Sequence, residues 1–224
     1  MNKKIMVLAI AAVSAAVLAL PAIASAGVWD LEQEGGHCTA LKPCKFTVHG
    51  GTQQLTTAGS TVHCTTVTGN GEYTDTTTGH LHLTFHGCTT EVFGAKVNCN
   101  NVSGQTNTIT TKKLSIHNVL LEASPRTPGV LIKPVEASFA SFTCFGVGVT
   151  VSGNGVIGQV TSPACGATSK TATISFTSKS TGVQTWSQVT TTGTVYGLKK
   201  GEESASQDGS ATITFGTNGK LNCT

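Results

Sequence analysis

Histidine is the first chemistry the chain offers. His80, His82 and His86 fall at alternating positions of one stretch. In an extended strand their imidazoles leave from one face, and His63 could lie on a neighbouring strand. Two imidazoles at i and i+2 can share one ion, and neutral imidazole suits zinc, copper or nickel. The competing reading is the solvent face of an exposed strand. A structural zinc also needs four ligands and acceptors that orient the rings, and the sequence displays neither. His37, His49 and His117 read as surface or strand residues.

Cysteine is the second. Cys38, Cys44, Cys64, Cys88, Cys99, Cys144, Cys165 and Cys223 are even in number, and none sits in a C-x2-C pair. This favours disulfides formed in an oxidising compartment over zinc. Cys38 with Cys44 across a short loop, and Cys88 with Cys99 across a hairpin turning at Gly94, are plausible local bridges. Cys64 with Cys144 and Cys165 with Cys223 would complete the set. Spacing alone leaves the connectivity open.

Other chemistries find little. Hydrolysis needs a nucleophile, a base and an orienting group, yet no G-x-S-x-G motif occurs. The acidic residues are few: Asp30, Asp75 and Asp208 besides glutamates such as Glu32, Glu34, Glu202 and Glu203. Asp75 lies among threonines and reads as a turn residue. Sugar binding would have to use Trp29, Trp186, Tyr73 or Tyr196. Threonine ladders such as Thr106-x-Thr108-x-Thr110 and Thr190-x-Thr192-x-Thr194 lack the fixed repeat that an ice-binding face would show. Arg126 is the single arginine and the formal net charge is +3, so nothing in the composition would neutralise nucleic-acid phosphates. No cofactor is expected.

The elements that must carry these residues read as strands. Leu81, Leu83 and Phe85 alternate with the histidines, and similar alternation marks residues 46–48, 114–116, 139–142, 172–176 and 213–215. Period two with abundant threonine and valine marks half-buried strands. Gly50-Gly51, Gly69-Asn70-Gly71, Gly153-Asn154-Gly155, Asp208-Gly209 and Asn218-Gly219 read as turns. The expectation is an all-β fold, a sandwich or distorted barrel of roughly 12–14 short antiparallel strands with disulfides.

The first residues read as an address. Lys3 and Lys4 precede an apolar run over residues 5–20, and Ala24-Ser25-Ala26 offers a cleavage site. Residues 1–26 are therefore expected to be a removed Sec signal peptide. The run falls short of the roughly 20 residues that span a bilayer. Residues 27–224 would be the mature β-rich region, one domain or two closely packed halves divided near residues 123–129. A faint echo relates Cys64 with Gly69-Asn70-Gly71 to Cys144 with Gly153-Asn154-Gly155.

The run Val62-x-Cys64, Leu83-x-Phe85-x-Gly87-Cys88, Cys99 and Ile109-x-Thr111-x-x-Leu114 is followed by Phe142-x-Cys144, Val151-x-Gly153 and Val156-Ile157-Gly158. Together these resemble a group of exported, cysteine-containing β-rich proteins of high-GC Gram-positive bacteria. The resemblance covers most of the mature chain and implies no particular activity. The Cys38 and Cys44 pair departs from its pattern. The expected function is a secreted, non-enzymatic binding or structural protein with a cell-envelope or extracellular partner, without nucleic acid and without a membrane span after cleavage. A histidine-based metal protein is the alternative, and a secreted hydrolase with an unrecognised site the third.

Overall fold

The computed structural model describes residues 27–189 and 194–223. The expected signal peptide, residues 1–26, lies outside them. The described residues form strands and no helix. In chain order they are β1 (Trp29–Gln33), β2 (Gly36–His37), β3 (Cys44–Thr57), β4 (Thr61–Cys64), β5 (Thr66–Tyr73), β6 (Thr78–His86), β7 (Thr89–Val92), β8 (Ala95–Asn100), β9 (Thr108–Thr110) and β10 (Leu114–Ala123). There follow β11 (Arg126–Pro134), β12 (Ala140–Cys144), β13 (Val147–Gly153), β14 (Val156–Ser162), β15 (Thr168–Phe176), β16 (Ser178–Ser180), β17 (Val183–Gln184), β18 (Leu198–Lys200) and β19 (Glu203–Cys223).

A 17-stranded antiparallel sheet holds all but β16 and β17, which pair with each other. The pairings close on themselves twice. One circuit runs β3–β5–β6–β10–β11–β14–β15–β19 and back to β3. The other runs β3–β4–β7–β8–β12–β13–β18–β19 and back to β3. The first uses Cys44–Gly50 of β3, the second Gln53–Thr56. The circuits are thus stacked end to end along one β3–β19 ribbon. Closure removes most of the unpaired edges that an open sheet leaves. Of the two expected shapes this is the distorted barrel, with more strands than expected.

The ribbon also departs from the expectation of short strands, because β3 has 14 residues and β19 has 21. Most of the expected turn signals lie inside strands. Gly50-Gly51 is in β3, Gly69-Asn70-Gly71 in β5, and Asp208-Gly209 and Asn218-Gly219 in β19; only Gly153-Asn154-Gly155 turns the chain, between β13 and β14. Packing explains the inward glycines of β5. A Cβ on Gly71 would lie 2.4 Å from the Phe46 ring, and one on Gly69 2.8 Å from Leu83 Cδ2. These glycines make room for neighbouring side chains. The two Gly-Asn-Gly runs therefore serve different roles.

One core fills both circuits. Phe46, Tyr73 and Phe215 meet with ring centroids 5.6 to 6.4 Å apart. Buried Trp29 donates Nε1–H to the Gly129 carbonyl at 2.8 Å. The Tyr73 hydroxyl donates to Asn118 Oδ1 at 2.9 Å, and burial raises its pKa above the ordinary value. A second, smaller cluster lies outside the wall. Val119, Leu121, Leu131 and Ile157 are covered there by Trp186, Val189 and Tyr196. That cover explains why β11 and β14 read as near-continuous apolar runs, since both their faces are buried.

All eight cysteines are paired: Cys38–Cys44, Cys64–Cys88, Cys99–Cys144 and Cys165–Cys223. The expected Cys88–Cys99 and Cys64–Cys144 bridges are corrected. The β7–β8 hairpin does form, but Cys88 turns to β4 and Cys99 to its partner strand β12, where Cys144 stands directly opposite it. Residues 123–129 belong to the β10–β11 hairpin, whose strands pair from Leu114↔Pro134 to Ala123↔Arg126.

Candidate functional site

The alternation read from the sequence puts His80, His82 and His86 on the outer face of β6, with Leu81, Leu83 and Phe85 inward. Across β5 they stand opposite Glu72, Asn70 and Thr66. His86 Nε2 lies 3.0 Å from Thr68 Oγ1, while buried His80 Nδ1 has no partner. His63 is on β4, which pairs with β3 and β7, so it is not a neighbour of β6. Among the described residues, no group of three or more His, Cys, Asp or Glu is arranged to hold a metal ion.

All three aspartates and several glutamates are hydrogen-bonded within the fold. Asp75 accepts from the backbone N–H and hydroxyl of both Thr77 and Thr78, closing the turn between β5 and β6. Burial would raise its pKa, but those hydrogen bonds outweigh burial and hold it below the ordinary value. Asp30 accepts from Thr76, Asp208 from Ser178, Glu32 from Asn222 and Glu34 from Asn218. Nearby His117 is held below its ordinary pKa by burial, with Lys133 and His80 pushing the same way against Asp75.

The aromatic residues weighed for sugar contact are largely occupied. Trp29 and Tyr73 are buried, and Trp186 and Tyr196 pack against the outer cluster. Thr108 and Thr110 lie on β9, whereas residues 190–193 are outside the described residues.

What the histidine and carboxylate arguments missed is at the far end of the second circuit. The turns joining β3 to β4, β7 to β8, β12 to β13 and β18 to β19 share that end, because each strand of the circuit runs antiparallel to the next. Two of these turns are Phe-Gly. Val92 pairs with Ala95 across Phe93-Gly94, and Cys144 with Val147 across Phe145-Gly146. The φ angles are 51° and 77° in the first turn and 49° and 76° in the second. Positive φ at both central residues defines the type I′ hairpin turn, which favours Asn-Gly. A bulky side chain there is strained by about 1–2 kcal/mol. Phe93 is 105% exposed and Phe145 74%. Both rings thus project into solvent from a backbone that disfavours them, and Val147, which closes the second turn, is exposed as well. The β8–β12 pairing engages only Cys99 and Asn100 of β8, so the Phe93 hairpin reaches past its neighbour.

Inside the barrel lies a cavity of about 130 Å³, bordered by residues of both circuits and almost wholly apolar. Its wall carries no acidic, basic or histidine side chain.

The fold and these features define a disulfide-tied, all-β, closed-barrel protein with one apolar-tipped end. No protein-family model matches the chain, and neither does a curated protein or a solved structure.

Proposed function

We propose that this chain is an exported, non-enzymatic binding protein that meets an apolar surface of a cell-envelope or extracellular partner through Phe93 and Phe145. The observation that carries the reading is the pair of exposed phenylalanines in strained Phe-Gly turns at one end of the barrel. Exposure and strain both work against the fold, so neither ring serves its own stability. Export is supported by four disulfides, which persist in oxidising compartments, and by the leader-like residues 1–26. The engagement of Asp30, Asp75, Asp208, Glu32 and Glu34 in structural hydrogen bonds favours binding over hydrolysis.

The test is sedimentation of the mature protein with the envelope fraction of the exporting cells, for wild type and a Phe93→Asn/Phe145→Asn variant. Asparagine suits the turn and lacks the ring. Wild type should sediment, and the variant should stay in the supernatant while melting at an equal or higher temperature. Equal sedimentation of the two would remove the reading.

A further inference from the structure

We infer that the interior of the barrel is a binding site for one small, uncharged, apolar molecule of about the bulk of benzene. The site is the cavity of about 130 Å³ bordered by Leu83, Phe85, Ile109, Phe142, Ile174 and Ala211. A second observation agrees with the volume. Leu55, Leu83, Phe85, Phe176 and Ala211 border the cavity and pack on the core, yet they are only partly buried. Three of the polar side chains at the wall are engaged with the protein. Gln207 Nε2 donates to Gln53 Oε1 at 3.1 Å, Gln53 Nε2 donates to the Ser210 carbonyl at 2.9 Å, and Thr111 Oγ1 accepts from the Leu83 N–H. Water in a cavity needs two to four polar partners, and an apolar cavity of about 150 Å³ in another protein stays dry and takes up benzene or xenon.

The wall cannot simply collapse onto the void. Its girth is set by the number and stagger of hydrogen-bonded strands, and shrinking it would break the ladders of both circuits. Filling the space with a ligand recovers contacts that the lining side chains lack. The absence of charge on the wall excludes ionised ligands, which would lose hydration without a partner.

The test uses benzene and xenon as probes of the oxidised mature protein, followed by methyl resonances of Leu83, Ile109 and Ile174. The expected result is a saturable shift of these resonances with one benzene per chain and a raised melting temperature. Ala211→Leu fills the cavity and should abolish both effects. Leu83→Ala enlarges it and should admit naphthalene, which wild type excludes; this keeps the test decisive if Ala211→Leu does not fold. No saturable shift up to the solubility of benzene overturns the inference. So does binding that neither substitution alters, because that binding lies elsewhere. The outcome is independent of whether Phe93 and Phe145 contact an envelope.

Discussion

The two circuits share β3 and β19 yet are held by different forces. The first owns the ring contacts of Phe46, Tyr73 and Phe215, together with buried Trp29 and Leu31 beside β19. The second owns the Cys64–Cys88 and Cys99–Cys144 bridges, which join β4 to the start of β7 and β8 to β12. Both rings share one packed core, and Cys38–Cys44 and Cys165–Cys223 lie with the first, but only the second has bridges between its own neighbouring strands and lacks an aromatic cluster. The strained Phe-Gly turns stand on that cross-bridged ring. Disulfides stabilise chiefly by restricting the unfolded chain, so they hold an end whose tips contribute little to packing. This is the arrangement expected where a surface is kept for contact at the expense of local stability.

The largest effect should come from the packed ring. Phe215→Ala removes a 2%-exposed side chain from the aromatic cluster and should cost about 3–5 kcal/mol, read as a fall in the denaturation midpoint. An effect near zero would break the contrast between the circuits. Next is Cys99→Ala/Cys144→Ala, which opens a bridge of sequence separation 45 and should cost roughly 2–4 kcal/mol. Amide exchange should then accelerate in β7, β8, β12 and β13 while β15 and the β3–β19 ribbon keep their protection. Uniform acceleration would mean that the circuits open together. Cys38→Ala/Cys44→Ala, with a separation of 6, should cost less, because short loops lose little entropy on closing.

Side-chain direction was legible because it depends on local alternation. Leu81, Leu83 and Phe85 read as one face and His80, His82 and His86 as the other, and in the structure the first set borders the interior while the histidines lie on the opposite face. The pairing of all eight cysteines was legible too, but two of the four partnerships were not. Cys99 faces Cys144 only because β8 and β12 pair across a sequence separation of 45, and no local pattern encodes that. The glycines misled for a related reason. Gly71 looks like a turn residue until the Phe46 ring is seen above it. The phenylalanine tips did leave a signal, since Phe93-Gly94 and Phe145-Gly146 each interrupt a run with strand character. Phe-Gly is outside the usual vocabulary of hairpin turns, and exposure cannot be read from it. The cavity left no local signal, because it arises from how both circuits close.

The smallest effect belongs to the packed ring and separates the two circuits by pH. Asp75 sits in the β5–β6 turn and His117 on β10, both in the first circuit. Each has a folded pKa below its ordinary value, 3.8 for Asp75 and 6.5 for His117. The unfolded chain therefore binds more protons at these groups, and stability rises with pH across both windows. The His117 contribution is present above pH 6.5 and is lost as pH falls through its lowered folded value. The Asp75 contribution is present above pH 3.8 and is lost in the same sense at lower pH. Urea midpoints measured against pH should fall in two stages on acidification. His117→Gln should flatten the first stage and Asp75→Asn the second. Exchange protection should weaken first in β6 and β10, with β8 and β12 following only on global unfolding. If β8 and β12 lost protection first below pH 6.5, the cross-bridged second circuit would be the acid-sensitive one.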